Sequence, residues 1–390
     1  MNRFHILVSG LVTVVVLSSS AQAATRYAKV GGAASGACLT WASACTLPHA
    51  LTQAVAGDEV WVKAGRYAPF ALKNGVKIIG GFAGTETRAS ESNPTANATI
   101  VDGAGRERPV HSANHTAATV LRGFKIINGI DEDTDGGGGL ILRDSSPMLV
   151  QCTFENNTAA YLGGAVRLRG HSAPQFINCV FRNNGSRTSG GPPYGGGAVF
   201  LEEGSASFTN CLFDGNKAGE GGVIAKFGDP GTVFTNCTMV NNQATIKYGG
   251  AIHDSYGGVA LRNCILWDNT RVEGEGTSAD QIYSPANFTE VRHSDIQGGW
   301  AGRGNINADP LFNNPAANDY TLRSTSPCKD AGENAALPRG VGNLDWNLDT
   351  DEIIPLDLAR TIRKVGISVD IGAYEIPPVL PENAPSVPDE

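Results

Sequence analysis

Basic side chains follow three of the paired glycines in the middle of the chain. Arg167, Lys226 and His253 each lie within four residues of a Gly-Gly pair. Removing the proton next to a uronate carboxylate needs a base, together with an arginine or Ca²⁺ that neutralises the carboxylate. Lys226 or His253 is a candidate base and Arg167 a candidate neutralising group. Because no dense aspartate cluster accompanies them, the solvated surface of a repeat is the favoured explanation of these residues.

Aromatic residues flank the same glycine pairs. Tyr161, Tyr194 and Tyr248 come just before a pair, and Phe200 follows one at the position equivalent to Arg167. Aromatic faces suit the apolar side of a pyranose ring, so these four residues are candidates for glycan binding. Local packing of the loops is the alternative explanation for the tyrosines.

Acidic residues suggest Ca²⁺ at one place and no other cofactor. Oxygen ligands occur at every second position in Asp345, Asn347, Asp349 and Asp351, although the glycine and distal glutamate of an EF-hand loop are missing. The acidic run 131–135 is predicted to be a solvated loop. Facing carboxylates of a glycoside hydrolase are represented only loosely, by Asp254 and the pair Glu202 and Glu203.

The elements that must position these residues belong to a repeat. The strands open on the paired glycines at 138–139, 163–164, 196–197, 221–222 and 249–250, and a cysteine follows in each copy. Those cysteines are 27, 32, 26 and 27 residues apart, a period that indicates a stacked solenoid. The apolar runs are short, rich in Val, Ile and Phe, and separated by turn residues, which predicts strands and an all-β parallel β-helix.

Asparagines before the cysteines predict a turn ladder. Asn178, Asn210, Asn236 and Asn263 precede four of the cysteines, and Gln151 takes this place in the first copy. Asparagine tolerates the left-handed conformation, so we expect a stacked bend whose amides bond along the axis.

The cysteines are expected to be of two kinds. Cys38 and Cys45 lie close in one loop and are predicted to form a disulfide. The five repeat cysteines stack with parallel side chains at the strand spacing, which is too wide for a bridge, so they are predicted to be buried thiols. Cys328 has no evident partner.

The ends and the charge suggest an exported protein. Residues 1–23 have the pattern of a signal peptide, with Arg3, an apolar run and Ala21-Gln22-Ala23, and 24–57 form a cap with a helix at 47–55. The β-helix is predicted over 58–376, with a final strand near 369–374, and 377–390 is a proline-rich disordered tail. The net charge of −8 argues against nucleic acid, and the mature chain has no predicted transmembrane segment.

The repeat also resembles known families. The recurring Gly-Gly-Ala-Ile/Val with Phe-x-x-Asn is similar to repeats of polymorphic outer-membrane proteins, and residues 25–375 resemble exported right-handed parallel β-helix proteins of the pectin-lyase-like superfamily. The residues from Asp319-Tyr320-Thr321-Leu322 to Gly372-Ala373-Tyr374-Glu375 resemble the C-terminal part of "choice-of-anchor" β-helix proteins. The resemblance implies a single-stranded right-handed solenoid. It implies no single function, because the superfamily includes lyases, hydrolases, epimerases and adhesins.

The sequence therefore favours an exported or cell-surface β-helix protein without catalytic activity, which binds a polysaccharide or serves as an envelope component. The alternative is a polysaccharide lyase acting on a uronate polymer.

Overall fold

Short apolar runs between turn residues form stacked parallel strands, as predicted. The structure is a computed structural model that describes residues 23–187, 195–228, 231–272, 278–285, 288–339, 354 and 356–377. Over these residues the chain is a right-handed parallel β-helix whose strands pair with their copies one coil away. No helix in these ranges is long and apolar enough to span a membrane. The predicted signal peptide, except Ala23, and the tail beyond residue 377 lie outside them.

Four parallel sheets run along the axis, and we number them by their order within a coil. Sheet I follows the glycine pairs and contains Phe70–Ala71, Val110–Ala113, Leu140–Arg143, Val166–Arg169, Val199–Leu201, Ile224–Lys226, Ile252–Asp254 and Ile282–Tyr283. Sheet II precedes the repeat cysteines and contains Thr25–Ala33, Glu59–Lys63, Lys77–Phe82, Val120–Arg122, Met148–Val150, Gln175–Ile177, Ser207–Thr209, Thr232–Thr235, Val259–Arg262 and Glu290–Arg292.

Sheets III and IV complete each coil. Sheet III follows the cysteines and contains Gly65–Tyr67, Thr99–Asp102, Phe124–Ile127, Thr153–Glu155, Val180–Arg182, Leu212–Asp214, Thr238–Val240, Ile265–Trp267 and Asp295–Ile296. Sheet IV contains the two-residue strands Ile130–Asp131, Thr158–Ala159, Gly185–Ser186, Lys217–Ala218, Gln243–Ala244 and Thr270–Arg271. The remaining elements are the antiparallel strands Phe312–Asn314 and Asp319–Leu322, the helices Leu47–Gln53 and Ser278–Gln281, and the 3-10 turns Ala89–Glu91, Pro315–Ala317 and Asn334–Ala336.

Phenylalanine stacks fill the interior. In sheet III the ring of Phe181 lies 4.9 Å from Phe154 and 4.7 Å from Phe213, with nearly parallel planes. In sheet II Phe208 stacks in the same way on Phe176 and Phe234. These separations match the ~4.8 Å between paired strands, so like residues in successive coils meet face to face.

The predicted asparagine turn ladder is confirmed. Asn178, Asn210, Asn236 and Asn263 have φ between +51° and +55°. Their side-chain amides donate along the axis, from Asn210 to Asn178 at 3.1 Å and from Asn263 to Asn236 at 2.9 Å. Gln151 shares the left-handed conformation at φ +52°. The bend lets residues on both sides of it point inward.

A second asparagine ladder lies inside the coil, between sheets III and IV. The Oδ1 of each later member accepts from the backbone and side-chain nitrogens of the member before it, and that of the first accepts from Gly129 N–H. The members are fully or almost fully buried: Asn157, Asn184, Asn216, Asn242 and Asn269. Each Nδ2 also donates to a backbone carbonyl, as Asn216 does to Phe181 at 2.9 Å. The ladder satisfies the polar backbone of a turn that has no access to water.

The cysteines behave as predicted. Cys38 and Cys45 form a disulfide next to the capping helix, which spans Leu47–Gln53 and buries Leu47, Ala50 and Leu51. The repeat cysteines are buried free thiols, and so is Cys328. The Cys328 thiol lies 3.2 Å from the Asp295 carboxylate and donates to it.

Reduction is expected to destabilise this cap by about 2.5 kcal/mol, the loop-closure entropy of a loop of this length. Unfolding the oxidised and the reduced protein in denaturant measures the difference. Thiol titration of the unfolded, unreduced chain should find the six free cysteines. Fewer reactive thiols would mean that repeat cysteines are bridged.

The C-terminal part does not continue the coils. The last coil contains Ile282–Tyr283, Glu290–Arg292 and Asp295–Ile296, but the strand predicted near 369–374 is absent. Instead, the described residues from Phe312 onward pack against the outside of the solenoid. Phe312, Tyr320 and Ile371 cover Leu212, Val240 and Ile265, while Leu337, Ile354 and Val369 cover Val150 and Ile177. The apolar residues of this segment are buried by that packing, and not by a further coil.

Asp295 makes stability depend on pH. Its side chain is buried, and burial raises its pKa from 3.8 to about 6, partly offset by donation from Ala308 N–H and the Cys328 thiol. The native state therefore holds this proton more tightly than the unfolded chain does, and stability declines as pH rises from about 4 through 6. The loss approaches about 3 kcal/mol, at 1.36 kcal/mol per pKa unit.

Asp295→Asn should remove that decline while keeping an acceptor for Ala308. We expect a flatter dependence of the unfolding free energy between pH 4 and 7, measured by denaturant titration. The exposed Asp133→Asn change is the control and should leave the wild-type slope. An unchanged slope in Asp295→Asn would contradict this assignment.

Candidate functional site

The candidate residues after the glycine pairs fall in one register column of sheet I. Strand pairing aligns the positions of Ile141, Arg167, Phe200, Ala225, His253 and Tyr283. The residues on either side of this column, such as Val166 and Leu168, point into the core, so alternation directs the column outward. All of its members except Tyr283 are nevertheless buried, because other segments cover the face.

Arg167 is held by the segment around Asp135. Its Nη1 donates to the carbonyls of Thr134 and Asp135 at 2.7 and 2.6 Å, and its Nη2 pairs with Glu202 at 2.7 Å. Burial lowers the pKa of the guanidinium, and Glu202 partly opposes that shift. Since both Nη atoms are engaged, a uronate would have to displace these partners in order to reach Arg167.

The acidic run 131–135 is solvated only in part: Glu132, Asp133 and Thr134 are exposed as expected, whereas Asp131 and Asp135 bind arginines at sheet I. Asp131 is buried and pairs with Arg108, and the Asp135 carboxylate accepts from Arg143 and Arg169. Arg108, just before the second strand of sheet I, and Arg143 and Arg169, at the ends of its third and fourth strands, hold this loop in place. The charges of these arginines are therefore paired with carboxylates of the protein itself.

Two aromatic candidates, Phe200 and Tyr161, belong to the coils of sheet I near Arg167. Phe200 is buried, with the Arg167 guanidinium 5.7 Å from its ring centroid and Phe227 at a similar distance on its other side. Tyr161 is partly exposed, three coils before Tyr248 and so about 14 Å away along the axis. Tyr194 lies outside the described residues. Binding of one glycan by Tyr161, Tyr194 and Tyr248 together thus remains a prediction.

Lys226 and His253 lie on opposite faces of sheet I. Lys226 aligns with the buried Leu201 on one side and with Asp254 on the other, so it occupies an inward position. Its Nζ donates to Gly228 O at 3.1 Å, while the Asp254 carboxylate accepts from Ser284 and Thr289. Side chains in adjacent register columns of a sheet point to opposite faces, so Lys226 and His253 lie on different sides of sheet I.

His253 is the centre of an aromatic patch, which we define as Phe227, Tyr248, His253 and Tyr283. The imidazole lies 5.4 to 5.5 Å from each of the other three rings. Tyr248 and Tyr283 stack on each other at 3.9 Å, and both are partly exposed. Burial raises the pKa of Tyr283, with smaller contributions from Tyr248 and Glu220. Tyr283 is therefore uncharged at neutral pH.

Two polar residues missed by the sequence analysis contact His253. Its Nε2 lies 2.8 Å from Ser255 Oγ, and its Nδ1 lies 2.9 Å from Glu220 Oε2, although off the direction of a hydrogen bond. Glu220 precedes a glycine pair, just as Tyr248 does. That shared place in the repeat, and the period of two from His253 to Ser255, were signals in the sequence.

A cleft beside Tyr248 adds positive charge. It has a volume of about 260 Å³ and is lined by Ile246, Lys247, Tyr248 and Arg271. The Lys247 ammonium is exposed and lies 5.7 Å from the Tyr248 ring centroid. Arg271 pairs with the buried Asp280. Lys247 has no carboxylate partner within the described ranges, so its charge is available to a ligand.

Metal binding finds limited support in the described residues. Asp345, Asn347, Asp349 and Asp351 lie outside them, so the calcium prediction stays a prediction. Within the described ranges Cys38, Cys45 and His49 bring three possible ligand atoms together. The disulfide occupies both sulfur atoms.

Comparison with known proteins agrees with this fold. Residues 110–299 match the family model described as "Right handed beta helix region". The sequence matches none of the curated proteins. Among solved structures, the crystal structure of pectate lyase Pel9A is 12% identical and covers 91% of this chain and 97% of its own, with a TM-score of 0.46. The strand pairing and the family match thus define a right-handed parallel β-helix protein.

Proposed function

We propose that the chain is an exported or cell-surface protein that binds an acidic polysaccharide at the aromatic patch and the adjoining Lys247 cleft. The observation that carries this proposal is the Tyr248 and Tyr283 stack, which is partly exposed beside an unpaired cation. Aromatic faces contact the apolar side of a sugar ring, and Lys247 supplies an ion pair for a uronate carboxylate. The Cys38–Cys45 disulfide supports an oxidising compartment outside the cytosol.

The lyase alternative has less support. β-Elimination needs a base and a neutralising cation on the same sugar. Arg167 and His253 are three strands apart in sheet I, about 14 Å at the strand spacing, and Arg167 is already paired with Glu202. Lys226 lies on the other face. We therefore propose that the polymer is bound without cleavage of its backbone.

Binding of uronate and neutral polymers by wild type and Tyr248→Ala tests the proposal. We expect affinity for a uronate polymer to fall at least tenfold in Tyr248→Ala and in Lys247→Ala. Ile367→Ala removes an exposed apolar residue on the C-terminal segment and is the control that should bind normally. Wild type that binds no polymer, or Tyr248→Ala that binds as wild type does, would overturn the site.

Two further measurements separate the alternatives. Tyr161→Ala should leave affinity unchanged if the patch is local and lower it if the ligand spans three coils. Incubation with uronate polymers should give no ultraviolet-absorbing unsaturated product. Such a product from wild type, abolished in Lys226→Ala or His253→Ala, would establish the lyase instead.

A further inference from the structure

Three polar side chains at the aromatic patch lie in a row, in the spatial order Ser255, His253 and Glu220. Ser255 Oγ lies 2.8 Å from His253 Nε2, and His253 Nδ1 lies 2.9 Å from Glu220 Oε2. Serine and histidine come from the end of one sheet I strand, while the glutamate comes from the turn before the preceding strand. This order of hydroxyl, imidazole and carboxylate is the one that activates a serine nucleophile.

We propose that Ser255, His253 and Glu220 form a nucleophilic relay that hydrolyses carboxylic esters through an acyl-serine intermediate. His253 also belongs to the aromatic patch proposed above to bind polysaccharide, whereas Ser255 and Glu220 lie outside that patch.

The two ring nitrogens of His253 face the groups that a serine relay requires. In the tautomer that the relay uses, Nε2 accepts from the Ser255 hydroxyl and the ring proton is on Nδ1, which faces Glu220. The side chains of His253 and Glu220 are 5% and 6% exposed, and Glu220 makes no other side-chain hydrogen bond or ion pair within the described residues. In a serine relay, a carboxylate at this position orients the imidazole that takes the serine proton. Nδ1 makes no hydrogen bond to Oε2 in this structure, and such catalytic contacts commonly tighten when substrate binds.

The backbone after the serine offers donors to an oxyanion. Ser255 is partly exposed and is followed by Tyr256 and Gly257, whose N–H groups donate to nothing within the described part of the chain. In acyl transfer, the amide following the nucleophile is a common donor to the tetrahedral oxygen. Gly257 and Gly258 have φ of +93° and +79°, conformations that side chains rarely adopt. The turn thus exposes the nucleophile and unpaired amides together.

The reaction balances with water as the second substrate. Ser255 Oγ attacks the ester carbonyl carbon while its proton passes to His253 Nε2, giving a tetrahedral oxyanion. The carbon–oxygen bond to the alcohol then breaks, and the alcohol leaves with the proton from Nε2. Water attacks the acyl carbon and gives a proton to Nε2. The acyl–Oγ bond then breaks, Nε2 returns that proton to Ser255 Oγ, and the acid is released.

The neighbouring rings suggest the alcohol part of the ester. Tyr248 and Tyr283 flank His253, so an O-acylated sugar would place its ring on them and its acyl group at Ser255. This assignment of the alcohol rests on the proposed function, whereas the relay itself needs only an ester.

The experiment uses the full mature chain, a fluorophosphonate probe and p-nitrophenyl acetate. We expect the probe to label Ser255, identified by peptide mass spectrometry, and we expect turnover of the ester. Ser255→Ala and His253→Ala should lower kcat/KM by about 10³-fold or more, as loss of a nucleophile or its base does. Glu220→Gln should lower kcat more than it raises KM, and Ser207→Ala, a partly exposed serine of sheet II, should behave as wild type.

The outcomes separate the two proposals. Neither probe contains a sugar, so a relay without glycan binding still reacts, and a glycan-binding site without a relay does not. If Ser255→Ala fails to fold, labelling of wild type at Ser255 and its protection by p-nitrophenyl acetate decide the matter. Absence of label on Ser255, or ester turnover equal in wild type and Ser255→Ala, would overturn the relay.

Discussion

Replacing Asn216 with alanine should lower the free energy of unfolding by about 3–5 kcal/mol. The side chain is fully buried, and its Nδ2 donates to Phe181 O and Asn242 Oδ1. Its Oδ1 accepts from the backbone and side-chain nitrogens of Asn184. Alanine leaves these groups without partners in a site that water does not reach, and each unsatisfied buried group costs about 1–3 kcal/mol.

Chemical denaturation followed by circular dichroism measures this loss. Asn314→Ala is the matched control, because Asn314 is exposed and makes no side-chain hydrogen bond within the described residues. We expect that control to change stability by less than about 0.5 kcal/mol. Similar denaturation midpoints for the two variants would contradict a structural role for the inner ladder.

Gly249→Ala should be more damaging, with a loss of more than about 4 kcal/mol or failure to accumulate as folded protein. A Cβ on Gly249 would lie 1.8 Å from the carbonyl oxygen of Ile252, a backbone atom, and the residue has φ +57°. The first glycines of three preceding pairs meet the same obstacle, at 2.0 to 2.1 Å: Gly163, Gly196 and Gly221. The strand that carries His253 would have to move to admit the methyl group.

A matched control isolates this steric cost. Gly105 has a similar φ of +63°, but no atom lies within 4 Å of its added Cβ. Gly105→Ala should therefore lose only the left-handed penalty, about 1–2 kcal/mol. Thermal unfolding of both variants tests the difference, and equal losses would show that conformation alone explains the paired glycines.

The repeat made the fold predictable, because each coil restates the same turns and strands. The turn ladder followed from asparagines in successive coils that all need the same bend. The inner ladder was harder to assign, since Asn156-Asn157 and Asn183-Asn184 offer two asparagines each and periodicity does not say which one is buried. Gly215 and Asp268 replace the first of the two in other coils, and this substitution was the available signal.

The candidate site was only partly predictable for a different reason. Strand alternation alone would have separated Lys226 from His253, since they are at adjacent register positions. The burial of Arg167 depends on the segment around Asp135, and the Glu220 contact joins two coils. Packing between distant segments decides such exposure, and no local pattern encodes it.

The C-terminal segment fixes the number of coils. Its backbone carbonyls accept hydrogen bonds from three asparagines of the turn ladder: Asp357 O from Asn178, Leu356 O from Asn210 and Glu333 O from Asn263. Farther around the coil, the Tyr320 hydroxyl donates to Asp214 and Ala373 N donates to Thr238. Solenoids ordinarily gain or lose repeats easily, because each unit contacts only its neighbours. Here one inserted coil would move the later ladder asparagines by ~4.8 Å relative to the earlier ones. The C-terminal segment could then keep its hydrogen bonds to one group of these asparagines but not to both. The C-terminal segment therefore constrains the number of coils, and insertion of a single repeat should break part of these hydrogen bonds.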